Sequence, residues 1–181
     1  MSSLTLYDDS RPDTPVLETR ERERITEELS KIGVRFELWR AGVALSDGAD
    51  QAAVLEAYGR DVKRLMEEGG YRASDVVRMN PAHPDRAALR AKFLQEHIHG
   101  EDEVRFFVEG AGAFYLHEGG KVFRVVCERG DLISVPAGIT HWFDAGERPS
   151  FCAIRLFTNP EGWVAKYTGD EIASRFPPYQ N

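Results

Sequence analysis

Beyond residue 95 the apolar residues recur with a period of two, in runs too short for helices and separated by glycines. Val104–Val108, Ala113–Leu116, Lys121–Val126, Leu132–Val135 and Phe151–Phe157 are β-rich. Gly110, Gly112, Gly119-Gly120, Gly130, Gly138 and Gly146 punctuate them. Short strands with regular turn signals fold into a closed or sandwiched antiparallel barrel. Glu118-Gly-Gly-Lys121 reads as a hairpin turn. The expected class is therefore mainly β with flanking α.

The first half has the other period. From Glu18 to Ile32, Ile25, Leu29 and Ile32 fall on one helical face, with Gly33 placed to stop it. Val34 to Arg40 alternates as a strand. A second helix is expected from Asp50 to Glu68, ended by Gly69-Gly70, then a short strand from Ser74 to Met79 and a helix from Asp85 to Leu94. Asp170 to Phe176 adds a short helix before a Pro-rich tail expected to fray. One domain over 1–181 is expected, with a helix-rich part (1–94) outside a barrel core (95–160).

Composition excludes several classes. The 181 residues carry a formal net charge of −7, and the one dense basic run, Arg20 to Arg24, alternates with glutamates. Nucleic-acid binding needs a basic patch to displace counterions, so no nucleic-acid partner is expected. No apolar stretch is long enough to span a bilayer, and the N-terminus lacks a basic-then-apolar signal pattern, so no membrane partner and a cytoplasmic location are expected. Cys127 and Cys152 read as buried free thiols, with a disulfide between them as the alternative. Without a coiled-coil seam or long apolar patch, a monomer is expected.

The chemistry concentrates in His97-x-His99-x3-Glu103-x-Arg105. Residues two apart on a strand share a face, with Cβ atoms roughly 6.6 Å apart. His97, His99, Glu103, Arg105 and Phe107 share that parity, and Gly100 allows a bend between the histidines and the glutamate. A buried carboxylate neutralises, pairs or binds a cation. Imidazole and carboxylate without thiolate suit iron, nickel, manganese, copper or zinc rather than calcium. His141 closes the turn Pro136-Ala-Gly-Ile-Thr-His141 and is a third imidazole donor, or a loop histidine. The alternative for the first group is a solvated polar strand face. Arg105 reads as a cation aimed at substrate or as an internal partner of Glu103. His83 and His117 read as ordinary hydrogen-bonded histidines.

Gly130-x5-Pro136-x-Gly138-x2-His141 and His97-x-His99-x3-Glu103-x6-Gly110 resemble the two motifs of the cupin superfamily, a small antiparallel β-barrel (jelly roll) with its metal inside. Ala91 stands where the first motif usually begins with Gly, and Ala145 where the second usually ends in Asn. More narrowly, Phe93 to Gly110, Pro136 to Asp144, Ile154 to Phe157 and Gly162-Trp163 resemble the bacterial acireductone dioxygenases over most of the chain.

That resemblance implies one Fe²⁺ or Ni²⁺ per chain, held by His97, His99, Glu103 and His141. It implies O₂-dependent cleavage of acireductone, 1,2-dihydroxy-3-keto-5-methylthiopentene, in methionine salvage. With iron the products are formate and 4-methylthio-2-oxobutanoate; with nickel they are formate, carbon monoxide and 3-methylthiopropanoate. Four protein ligands on an octahedral metal leave two positions for substrate oxygens. Arg105 is the expected catalytic cation, with Arg155 a second candidate. Phe93, Phe143 and Trp163 are candidates for the apolar pocket, with ordinary core packing as the alternative. Backbone carbonyls, or Glu96, Glu101 and Asp102, are candidates to orient the imidazoles. Another metal-dependent cupin enzyme (an isomerase or another dioxygenase), or a non-catalytic cupin that binds a small ligand, would share the motifs.

Overall fold

A computed structural model describes residues 1–46, 48–159 and 164–181. Among these residues, eleven strands make one antiparallel sheet, with four helices outside it. The strands are β1 (Ser3–Asp8), β2 (Pro15–Thr19), β3 (Arg35–Leu38), β4 (Ala73–Met79), β5 (His97–Ile98), β6 (Glu103–Glu118), β7 (Lys121–Glu128), β8 (Asp131–Val135), β9 (Thr140–Asp144), β10 (Ser150–Phe157) and β11 (Lys166–Tyr167). The helices are α1 (Arg22–Ser30), α2 (Gln51–Ala57), α3 (Gly59–Gly69) and α4 (Arg86–Phe93), followed by a 3₁₀ turn at Ile172–Arg175.

The spine is β6. Its first half pairs with β8 and β10, its second half with β7 and β9. The two runs expected at 104–108 and 113–116 are thus one strand. Gly110 sits where the partners change, with φ +65, and a Cβ there would stand 1.8 Å from the Ser150 carbonyl oxygen. A register shift against β10 at Cys152/Ala153 adds a bulge nearby. A glycine and a bulge let one strand turn a corner without losing its pairing.

The corner encloses an inner core in which Phe107, Phe114, Phe143 and Phe151 meet Leu4, Val125 and Ile133, with Ile25 and Leu29 of α1 packed on it. The opposite face of β6, β8 and β10 presents Phe106, Val108, Leu132 and Ile154 to Val54, Tyr58, Val62 and Leu65 of the α2–α3 region. Each such side chain contributes on the order of 1.5–3 kcal/mol on burial.

Several expectations are corrected. The helix foreseen over 50–68 breaks at Tyr58 (φ −109, ψ 19), just before Gly59. Tyr58 is pinned edge-on to Phe106, and its hydroxyl donates to the Val43 carbonyl. Gly59 offers little resistance to a break there. The first helix starts at Arg22 because Pro15–Thr19 pairs with β1. The turn read into His141 is present at Ala137-Gly138, but the chain is already β9 from Thr140 onward. The tail does not fray: Phe176 is buried, the Tyr115 hydroxyl donates to the Pro177 carbonyl, and the Tyr179 amide donates to Asp144. Other expectations match, among them α4, β4, the left-handed Gly70 that ends α3, and the two positive-φ glycines of the β6–β7 hairpin. Both cysteines are buried free thiols.

Candidate metal centre

Three strands carry the site. His97 lies on β5, opposite His141 on β9. His99 follows β5, its carbonyl accepting from the Gly138 amide. Glu103 opens β6, opposite Val135. The bend between His99 and Glu103 is fixed by its own acids. Glu101 accepts from the Thr158 and Asn159 amides, and Asp102 accepts from the Ala137 amide.

Backbone carbonyls, not these acids, orient the imidazoles. Nδ1 of His97 donates to the Gln95 carbonyl at 2.7 Å, and Nδ1 of His141 to the Ile139 carbonyl at 2.8 Å. Nδ1 of His99 lies 3.3 Å from the Val164 carbonyl. Glu96 instead accepts from His117 Nδ1 at 2.8 Å and from the Thr168 hydroxyl at 2.7 Å. His117 is therefore a satisfied histidine, as is His83, whose Nδ1 accepts from the Asp85 amide.

A carbonyl only accepts, so each Nδ1 bonded to one carries the proton and each Nε2 carries a lone pair. Those lone pairs converge. His141 Nε2 lies 2.9 Å and His99 Nε2 3.1 Å from the same Glu103 oxygen, Oε2. One donor atom from each of His97, His99, Glu103 and His141 falls within 4.8 Å of the others. All four residues are at most 8% exposed. Lone pairs facing one another in a buried site repel unless a cation or a proton lies between them, and a donor set of three imidazole nitrogens and one carboxylate oxygen fits a divalent transition metal.

The surroundings favour the ligating protonation states. Burial alone would raise the Glu103 carboxyl, but the Arg105 guanidinium beside it holds it well below the usual carboxylate range. Burial, and after it repulsion from His141, push His97 down to about 4. Arg105 Nε lies 2.7 Å from Glu103 Oε1, so Arg105 is an internal partner of the glutamate. Its guanidinium also stacks on Phe143 at 4.5 Å and Phe114 at 5.0 Å. Burial lowers its pKa from the ordinary value and Glu103 opposes the fall.

A cavity of about 390 Å³ opens over this cluster, lined by His97, His99, His141 and Arg105 together with Phe93, Phe143 and Arg155. Phe93 meets Phe143 edge-on, with centroids 6.3 Å apart. Trp163 lies outside the described residues. A larger cavity, about 540 Å³, sits beyond α4 between Leu94 and Ala173 and includes none of the four clustered residues. Sequence reasoning missed Lys92 and Tyr167, which also line the site cavity; the Tyr167 ring is 6.0 Å from that of His97. The two-residue strand that places Tyr167 is too short to leave a period. It also missed Phe114, whose parity with Leu116 signalled only core.

Comparison with known proteins agrees with this geometry. The ARD/ARD′ family profile matches residues 3–165. An acireductone dioxygenase of Parvibaculum lavamentivorans is 62% identical over 181 residues, covering 100% of this chain and 98% of that protein. One from Pseudomonas aeruginosa is 56% identical over 177 residues, 98% of both chains. Among solved structures, an acireductone dioxygenase from Bacillus anthracis with a cadmium ion in its active centre superimposes with TM-score 0.79 at 29% identity, covering 92% of this chain and 98% of that one. The expected cupin-type antiparallel β-fold with outer helices is thus the fold observed. This chain belongs to the acireductone dioxygenase (ARD/ARD′) family.

Proposed function

We propose that this chain cleaves acireductone with O₂, using one Fe²⁺ or Ni²⁺ held by His97, His99, Glu103 and His141. The observation that carries the reading is the convergence of those four donors, with Arg105 beside Glu103, at a cavity that the three histidines and Arg105 line. The name shared by full-length relatives favours it over another cupin enzyme or a non-catalytic cupin. With iron the expected products are formate and 4-methylthio-2-oxobutanoate; with nickel they are formate, carbon monoxide and 3-methylthiopropanoate. The chain acts as a single cupin domain, as a monomer and in the cytoplasm, in methionine salvage.

A metal held by these four residues would supply Lewis acidity towards the substrate's oxygens, which favours the deprotonated enediolate. The protein does the rest. His97 is neutral at neutral pH and keeps its lone pair for ligation. Arg105, fixed by Glu103 and by two aromatic faces, presents positive charge in a water-poor site, where it opposes negative charge building on a substrate oxygen. Phe93 and Phe143 give the substrate's carbon chain an apolar wall. Arg155, which lines the same cavity, is proposed to bind substrate as well.

The test is turnover of acireductone by protein reconstituted with each metal, following its ultraviolet absorbance and O₂ uptake and identifying products. Consumption of both reagents with metal-dependent products is expected. Metal-loaded protein that leaves acireductone and O₂ untouched would contradict the proposal.

A further inference from the structure

Three strands place a row of charges across the wall of the site. Asp75 on β4 is opposite Arg155 on β10, and Arg155 is opposite Arg105 on β6. Residues so paired point to one face of a sheet, and like charges directly opposite destabilise it. Two guanidiniums side by side on an inner wall therefore need a reason. Each is tied to a carboxylate. Arg105 is held by Glu103, and Arg155 by both oxygens of Asp75, with Nε–Oδ1 2.7 Å and Nη2–Oδ2 2.5 Å. Arg155 also packs over Phe157 and lines the site cavity.

We infer that Asp75 is a positioning residue: its two-point grip sets the Arg155 fork towards the cavity beside Arg105, so that the paired cations receive an anionic, planar enediolate. The inference rests on the proposed function for its substrate class. A carboxylate that grips both nitrogens fixes the plane of the guanidinium as well as its place. Asp75 itself lines neither the cavity nor the four-donor cluster, so it acts through Arg155.

The probe is squarate, a stable planar enediolate dianion, titrated calorimetrically into nickel-loaded protein without oxygen. Asp75→Asn and Arg155→Ala are each expected to weaken squarate binding about tenfold at unchanged nickel content. The double variant is expected to bind no more weakly than Arg155→Ala alone, and Asp75→Glu to recover most of the loss. With acireductone, Asp75→Asn should raise KM more than it lowers kcat. Arg155→Lys keeps the charge but not the fork and should weaken binding as Asp75→Asn does, which keeps the test open if Asp75→Asn does not fold. Wild-type squarate affinity in Asp75→Asn or Arg155→Lys, or losses that multiply in the double variant, would overturn the inference. Wild-type protein that binds squarate in this pattern yet leaves acireductone intact would count against the proposed reaction and not against Asp75.

Discussion

His97 and His141 face each other across the β5–β9 pair with ring centroids 4.5 Å apart, and each gives its Nδ1 proton to the carbonyl two residues before it. The same local device thus sets two imidazoles that are far apart in the chain. Both present Nε2 to Glu103 and His99, so losing either ring opens the cluster. His97→Ala or His141→Ala is expected to lower metal affinity more than about a hundredfold, beyond what loss of an outer partner costs, and to abolish turnover. Elemental analysis after gel filtration checks this.

Arg105→Ala should keep the metal, because Arg105 is not among the four donors. The rate should fall about 10²–10³-fold, the usual loss when a group that opposes developing oxyanion charge is removed. Metal content and kcat on the same preparation test it; a variant with full activity contradicts the role.

Metal-free protein should lose stability in acid in two steps. His97 has a folded pKa of about 4 against the ordinary 6.5, so between those values the unfolded chain takes a proton that the folded chain refuses. Its contribution is complete above 6.5 and lost as pH falls towards 4, worth at most about 3 kcal/mol. Glu103, depressed below 4.5, contributes above that value and loses its share as pH falls further. Thermal melts of chelated protein should therefore decline below pH 6.5, and less steeply in His97→Gln. A flat profile from pH 7 to 4 would contradict it.

Arg90 on α4 forms a two-point ion pair with the fully buried Asp144 on β9, at 2.8 and 3.1 Å. Removing the guanidinium leaves a buried carboxylate with the amides of Gly146 and Tyr179 as its donors. Arg90→Ala should cost about 3 kcal/mol and lower Tm by roughly 6–12 °C. Because α4 also carries Phe93, KM should rise while metal content holds. Calorimetry and steady-state kinetics check both halves.

A Cβ at Gly112 would stand 2.4 Å from the tip of the Phe143 ring. Gly112→Ala should push that ring against its neighbours, costing about 1–3 kcal/mol and raising KM with the ligand set intact. Chemical denaturation beside substrate titration measures it.

How much of this was legible beforehand follows from the range of each signal. The parity of His97, His99, Glu103 and Arg105 is local, and it placed the right side chains together. The Gly119-Gly120 hairpin and the Gly70 stop are local too, and both were readable. The corner in β6 was not, because Gly110 and Gly112 look like strand ends until both halves are seen to pair. β1 and the anchored tail are held by partners far along the chain, Val122 to Val126 for β1 and Asp144 for Tyr179, and such pairing leaves no period. Glu96, Glu101 and Asp102 sit beside the ligands in sequence, yet they secure His117 and neighbouring loops, since adjacency does not say which way a carboxylate points.

The most direct measurement is the stoichiometry and affinity of Ni²⁺ and Fe²⁺ binding to chelated wild-type protein, compared with Glu103→Ala. One metal per wild-type chain is expected, with binding lost in the variant. Wild-type protein that takes up neither metal, or a Glu103→Ala protein that binds as tightly, would contradict the claim that these four side chains share one ion.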